Sequence, residues 1–233
     1  MWAANMRNTS LANKGQLKCG LTATHLSVTR GQSVLFQDLS FALTSGQILW
    51  IQGPNGIGKT TLLHVVAGLA RPQKGEVVWQ DINGPRHVAE LIAFQGHKNS
   101  LKPRLSVAET LGFWMRLSNY QGTLDDVLSK LNLSGKNTLR TGHLSRGQQR
   151  RLALARLLVS QKPIWIMDEP LSNIDDTGRD IFKALIKVHI EQGGCALIAS
   201  HKNAEKLSAD TRILTLRAAP QNTARQNKQK GVT

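Results

Sequence analysis

Acidic residues are missing from both ends of this 233-residue chain: none precedes Asp38 and none follows Asp210. With 30 Lys and Arg against 15 Asp and Glu, the formal net charge is +15. Such a surplus favours polyanions (nucleic acid, anionic headgroups, nucleotides) without choosing among them, and at the ends it reads equally well as solvated basic tails. Cysteine is scarce: Cys19 and Cys195 form no Cys-x-x-Cys pair, which argues against a zinc site or a disulfide framework and fits a reducing compartment. No run approaches the roughly 20 consecutive apolar residues of a membrane-spanning helix, so any work at a membrane goes through partners. The first 18 residues have no apolar h-region, which counts against a secretory signal; the scarcity of arginine there counts against an organellar presequence, and Met6 is an alternative start.

What is present reads as one large α/β domain. Hydrophobic residues make up 40% and charged residues 19%, the balance of a folded protein rather than a disordered one. Residues 21–28 and 34–43 alternate apolar and polar, predicting two antiparallel strands joined at Arg30-Gly31. The run 48–51 ends at Gly53, helical periodicity starts after Lys59, and Arg71-Pro72 stops it; 75–79 and 91–94 predict further strands. Ser106-Val-Ala-Glu109 has capping-box spacing and opens an amphipathic segment through Leu117, and 124–131 repeats the helical spacing. Ser145-Arg-Gly-Gln148 has the same capping spacing and opens a helix over 149–160. From Ile164 the chain alternates again: a strand over 164–167, a helix from about Thr177, strands over 196–199 and 213–216. A parallel-sheet core with an antiparallel β subdomain and a helical insert at about 98–160 accounts for this order.

Gly53-Pro54-Asn55-Gly56-Ile57-Gly58-Lys59-Thr60 fits G-x-x-x-x-G-K-[ST] and lies between a predicted strand and a predicted helix, the context that separates this motif from a glycine-rich turn with an incidental lysine. The glycines let backbone N–H groups converge on phosphate oxygens; Lys59 supplies a point charge to the β/γ-phosphates, and the Thr60 hydroxyl is placed to ligate Mg²⁺. Four apolar residues then deliver Asp168 and Glu169 at a strand end, where α/β sheets build their sites. Behind a P-loop, Asp168 is the candidate for the Mg²⁺ shell and Glu169 for the general base that polarises water.

With Thr61 completing the first motif, these residues, Leu144-Ser-Arg-Gly-Gln148 and the helix after it, Ser172-Asn-Ile-Asp175 and Ser200-His201 occur in the order and spacing of ABC transporter ATP-binding subunits, and the chain resembles that family over about residues 20–217. The resemblance implies an ABC-type P-loop NTPase fold, a flexible extension over 1–19 and a basic disordered tail over 218–233. It implies ATP and Mg²⁺ as ligands, and a homodimer in which Ser145, Gly147 and Gln148 of one copy cover the γ-phosphate bound to the other. Asp175 is implied to signal between the sites and His201 to contact the γ-phosphate. The physical reading agrees, since a helix start at Ser145 turns a positive dipole end toward an anion.

The chain departs from the family pattern in places. Arg30 stands where an aromatic residue commonly stacks on adenine, and Arg146 where glycine is commonest. The glutamine that usually reaches Mg²⁺ and water falls at Lys98, with Gln95 as the substitute if the loop register shifts; slow or tightly coupled hydrolysis is the expectation. Within the family, Gly96-His97, Leu101-Lys102 and Glu109-Thr-Leu-Gly-Phe113-Trp114 resemble the cytochrome c biogenesis haem exporter ATPases, as do Gly75-Glu-Val-Val-Trp79, Gln148-Gln-Arg-Arg151 and Glu191-Gln-Gly-Gly194. That resemblance implies integral-membrane partners on the cytoplasmic face of the inner (plasma) membrane, or the matrix side of the mitochondrial inner membrane if organellar. The competing expectations are an exporter of a drug, lipid or peptide, or a soluble nucleic-acid-associated ABC ATPase. The single set of motifs and the lack of a long coiled-coil insert tell against the latter, so no nucleic acid is expected. Nothing around His97 or His143 forms a haem pocket.

Overall fold

The computed structural model describes residues 19–31, 33–81, 87–201, 207 and 210–217; the extension expected before them and the tail expected after them lie outside this range. Strands β1 (Cys19–Arg30), β2 (Ser33–Thr44) and β4 (Lys74–Asp81) form an antiparallel sheet in the order β2-β1-β4. The hairpin turns at Arg30↔Ser33, where alternation had placed it.

A second, parallel sheet carries the order β5-β6-β7-β3-β8, from β3 (Ile48–Gln52), β5 (Ile92–Gln95), β6 (Ile164–Asp168), β7 (Cys195–Ser200) and β8 (Thr211–Thr215). Its inner strands are apolar up to their last residues, Gln52, Asp168 and Ser200, because both faces are covered. The faces divide with period two. Ile48, Trp50, Trp165, Met167, Ala196 and Ile198 pack into the core shared with the helices that follow β5 and β6. Leu49, Ile51, Ile164, Ile166, Leu197 and Ala199 pack with α1 (Lys59–Val66) and the antiparallel sheet. Buried Cys19 and Cys195 meet in that second core, their Sγ atoms 3.6 Å apart with no disulfide between them.

The insert holds α3 (Val107–Leu117), α4 (Leu124–Lys130), a 3₁₀ turn at Thr141–His143 and α5 (Arg146–Ser160). Both expected capping boxes form: Glu109 N–H donates to Ser106 Oγ at 3.1 Å while Ser106 N–H donates to Glu109 Oε2 at 2.7 Å, and Gln148 N–H and Ser145 N–H make the same reciprocal pair at 3.2 and 3.0 Å. Ends shift by one to three residues in several elements, and at Leu91 the type of element differs from expectation. Leu91 closes a single helical turn, α2 (Val88–Leu91), so β5 begins at Ile92. A buried apolar run carries no signal that separates those states.

The last helix among the described residues, α6 (Asp176–Glu191), buries His189 flat against Trp165, the ring centroids 3.9 Å apart, with Nε2 3.2 Å from Cys195 O. Gly194 leaves room for that ring: a Cβ there would lie 2.3 Å from His189 Cε1. Burial lowers the His189 pKa to about 4 from an ordinary 6.5, backbone hydrogen bonds opposing the shift. The unfolded chain therefore takes up this proton first. The contribution is complete above about pH 6.5, falls as the pH drops toward 4 and then levels off, a span on the order of 3 kcal/mol. His189→Gln should flatten that limb: urea midpoints at pH 7 and pH 4.5 should differ less for the variant than for the parent, and equal differences would contradict the assignment.

Candidate functional site

The turn from β3 into α1 wraps the glycine-rich loop. Gly58 caps α1 in the left-handed region, φ 109°, with its α-carbon so close to β2 that an added Cβ would lie 3.1 Å from Leu35 Cβ. Backbone conformation and space both require glycine there. Lys59 is 7% exposed, and its Nζ donates to Gly53 O at 2.7 Å and Pro54 O at 3.2 Å. The ammonium is folded over its own loop with its third proton free to face a phosphate.

Parallel pairing of β3, β7 and β6 brings the loop beside the acids. Thr60 Oγ1 donates to Asp168 Oδ2 at 2.8 Å, across 108 residues of sequence. Glu169, just past β6, adopts φ 50°, uncommon for a side-chain-bearing residue. Its carboxylate accepts from His201 N–H at 2.7 Å and Ser200 Oγ at 3.2 Å, with His201 Nδ1 3.0 Å away. A cleft of about 530 Å³ gathers Asn55, Gly56, Gly58, Lys59, Thr60, Thr61, Asp168, Glu169 and His201, with Arg30, Leu35 and His97 on its walls. Gly53 and Pro54 line a smaller depression beside it, also against His201; Ile57 packs instead on the neighbouring core.

The other predicted group lies apart from this cleft within one copy. Ser145 is exposed at the start of α5, and Gly147 faces Asp175 so closely that a Cβ would lie 2.6 Å from Asp175 Oδ2. Asp175 in turn caps α6 through Gly178 N–H at 2.8 Å and meets Arg151 Nη2 at 3.4 Å. The capping box uses the Gln148 N–H, which leaves the first amides of α5 for an anion.

The loop after β5 settles in a register that the sequence reading did not choose. Gln95 is buried, donating to Gly96 O at 3.2 Å, with its Oε1 unpartnered among the described residues. Lys98 lines a different cleft, with Arg146 and Gln149, and it is His97 that lines the one with Thr60 and Glu169. Two arginines were also missed as site residues: Arg150, 2% exposed, and Arg151, 6% exposed. The signal available was two adjacent cations inside a helix otherwise built to be buried.

A glycine loop, two acids at a strand end and a capped helix start held on separate faces of one domain define a P-loop ATPase of the ABC type. The ABC transporter family model matches residues 36–172, and the chain belongs to that family as an ATP-hydrolysing, nucleotide-binding subunit. Within it, the chain is similar to the cytochrome c biogenesis ATP-binding export proteins CcmA. It is 43% identical over 189 residues to that of Rhizobium johnstonii, covering 78% of this chain and 88% of that one. It is 42% identical over 188 residues to that of Haemophilus influenzae (78% and 89%) and 40% over 212 residues to that of Shewanella frigidimarina (89% and 97%). Among solved structures, a dimeric ATP-binding cassette in a post-hydrolysis state, bound to ADP and Pi, superposes with a TM-score of 0.69 at 24% identity, covering 84% of this chain and 94% of that one. The ATP-binding subunit of an ABC transporter superposes with 0.68 at 21% identity (78% and 79%). Both likenesses are of fold.

Proposed function

We propose that this chain powers an export complex for cytochrome c biogenesis, one that delivers haem or releases a haem-loaded chaperone on the far side of the membrane. The observation that carries this reading is identity of 40% or more to CcmA proteins over nearly nine-tenths or more of their length.

In the proposed mechanism the loop amides and Lys59 hold the triphosphate, and Arg30 with Leu35 offers the base a wall on which a guanidinium can stack. Thr60 and buried Asp168, both oxygen donors and already 2.8 Å apart, fit Mg²⁺, which takes few protein ligands and completes its shell with phosphates and water. Bound there, the ion would neutralise charge on the β/γ-phosphates. Glu169 takes the proton of the attacking water, and His201, hydrogen-bonded to that carboxylate, reaches the γ-phosphate. Two copies pack head to tail, so that Ser145, Gly147 and Gln148 of one close over the loop of the other, and Asp175 reports between the two sites.

No helix among the described residues is long and apolar enough to cross a membrane, which agrees with peripheral attachment through membrane subunits at the cytoplasmic face. A groove of about 850 Å³ between α1, α2, β5 and the insert is lined by Leu69, Phe94, Phe113, Trp114, Leu117 and Arg156. Trp114 packs on the core, whereas Phe113 and Leu117 stand 54% and 75% exposed. Apolar side chains this exposed beside one groove mark a docking face, and we assign it to the membrane partner. Pull-down from membranes should recover cytochrome c maturation subunits, and Leu117→Asp should lose them while melting at the parent's temperature. Recovery of a drug, lipid or peptide exporter would replace the haem reading, and full recovery by Leu117→Asp would move the docking face elsewhere.

A further inference from the structure

Arg150 is a buried cation that forms no ion pair among the described residues. Its Nε donates to Pro170 O at 3.0 Å, Nη2 to Glu169 O at 2.6 Å and Asp168 O at 3.5 Å, and Nη1 to Asn99 Oδ1 at 2.9 Å and His97 O at 3.4 Å. Burial lowers its pKa, opposed by the nearby charges of Asp168 and Glu169. A guanidinium taken from water and given mainly main-chain carbonyls costs more than an apolar side chain of the same volume, so packing alone does not account for it.

The acceptors have one thing in common. They belong to two segments, 97–99 and 168–170, that enter the nucleotide cleft from adjacent strands, and Arg150 lies in the second turn of the helix that starts at Ser145. We propose that Arg150 is a positioning residue for hydrolysis, a rigid fork that fixes Glu169 and the His97 loop relative to each other and to the Ser145 end of α5. The planar donor set suits this role, since a lysine could satisfy only part of it. Glu169 O also accepts from Ser172 N–H at 3.1 Å and Ser172 Oγ at 2.8 Å, so the left-handed backbone of the base is held from two sides, by α5 and by the turn toward Asp175. A shift of the Ser145–Gln148 turn on meeting the phosphate bound to the other copy would then reach the base through one side chain. The inference rests on the proposed role of Glu169.

The test is steady-state ATPase kinetics of the full chain with amide exchange on the same samples. Arg150→Met should bind ATP within about threefold of the parent while kcat falls on the order of 10²-fold, the scale of a misplaced catalytic group. Arg150→Lys should fall between, at roughly 10-fold. Exchange should accelerate together at 97–99 and 168–172. A kcat for Arg150→Met within about twofold of the parent overturns the proposal, as does a lost kcat with exchange unchanged at both segments. If Arg150→Met does not fold, Arg150→Lys decides by the same comparison. Glu169→Gln run alongside separates the failures: a normal rate there removes the base and this inference with it, whereas a stalled Glu169→Gln beside a normal Arg150→Met removes this inference alone.

Discussion

Glu169→Gln is expected to bind ATP and stop there, with turnover reduced by about 10²- to 10⁴-fold, the usual contribution of a general base. Glutamine keeps the length of the side chain, and its oxygen can still accept from the His201 amide that now lies 2.7 Å away. It cannot accept the proton of the attacking water. The left-handed backbone, held by Arg150 and Ser172 through the Glu169 carbonyl, does not depend on the charge. The variant should therefore fold normally and accumulate as a nucleotide-bound pair. Phosphate release measures the first part, and size-exclusion chromatography at saturating ATP the second. Parental turnover would remove Glu169 as base, and a monomer at saturating ATP would count against the shared site.

Lys59→Ala should lose affinity at the outset. A charge-assisted contact to phosphate contributes on the order of 3 kcal/mol, or about 10²-fold in the dissociation constant. The ammonium also bridges Gly53 O and Pro54 O, so its removal loosens the loop that must present its amides together. Lys59→Arg is not a rescue, because a planar fork does not fit where a compact point charge is folded under two carbonyls. Calorimetric titration with ATP tests both variants; parental affinity in Lys59→Ala would withdraw the phosphate role from this loop.

Much of this site was legible because its chemistry is local. The P-loop occupies eight consecutive residues, and each capping box spans four, so pattern and geometry are the same statement. Asp168 and Glu169 were legible because a strand of four apolar residues before Asp168 can deliver them to only one end of a parallel sheet. The loop after β5 was not, since residue count alone cannot say whether His97 or Lys98 faces the cleft when Gln95 is drawn into the core. Arg150 was hidden for another reason: all its acceptors but Asn99 Oδ1 are main-chain carbonyls, which every residue has, on segments about 20 and 50 positions away. The Glu169–Ser200–His201 contacts likewise come from the pairing of β6 with β7.

The seat of Lys59 on two carbonyls has a consequence for selectivity among the anions around the protein. An unpartnered amine at the floor of a glycine loop would draw in chloride, bicarbonate or free phosphate, and the loop would spend its time occupied by small ions. Here the carbonyls at 2.7 and 3.2 Å leave the ammonium one proton to give, so a single-point anion gains that contact and few loop amides at the loss of its own hydration. Only a chain of phosphates that engages several backbone N–H groups at once outweighs that loss, so the loop discriminates by the number of simultaneous contacts as well as by charge.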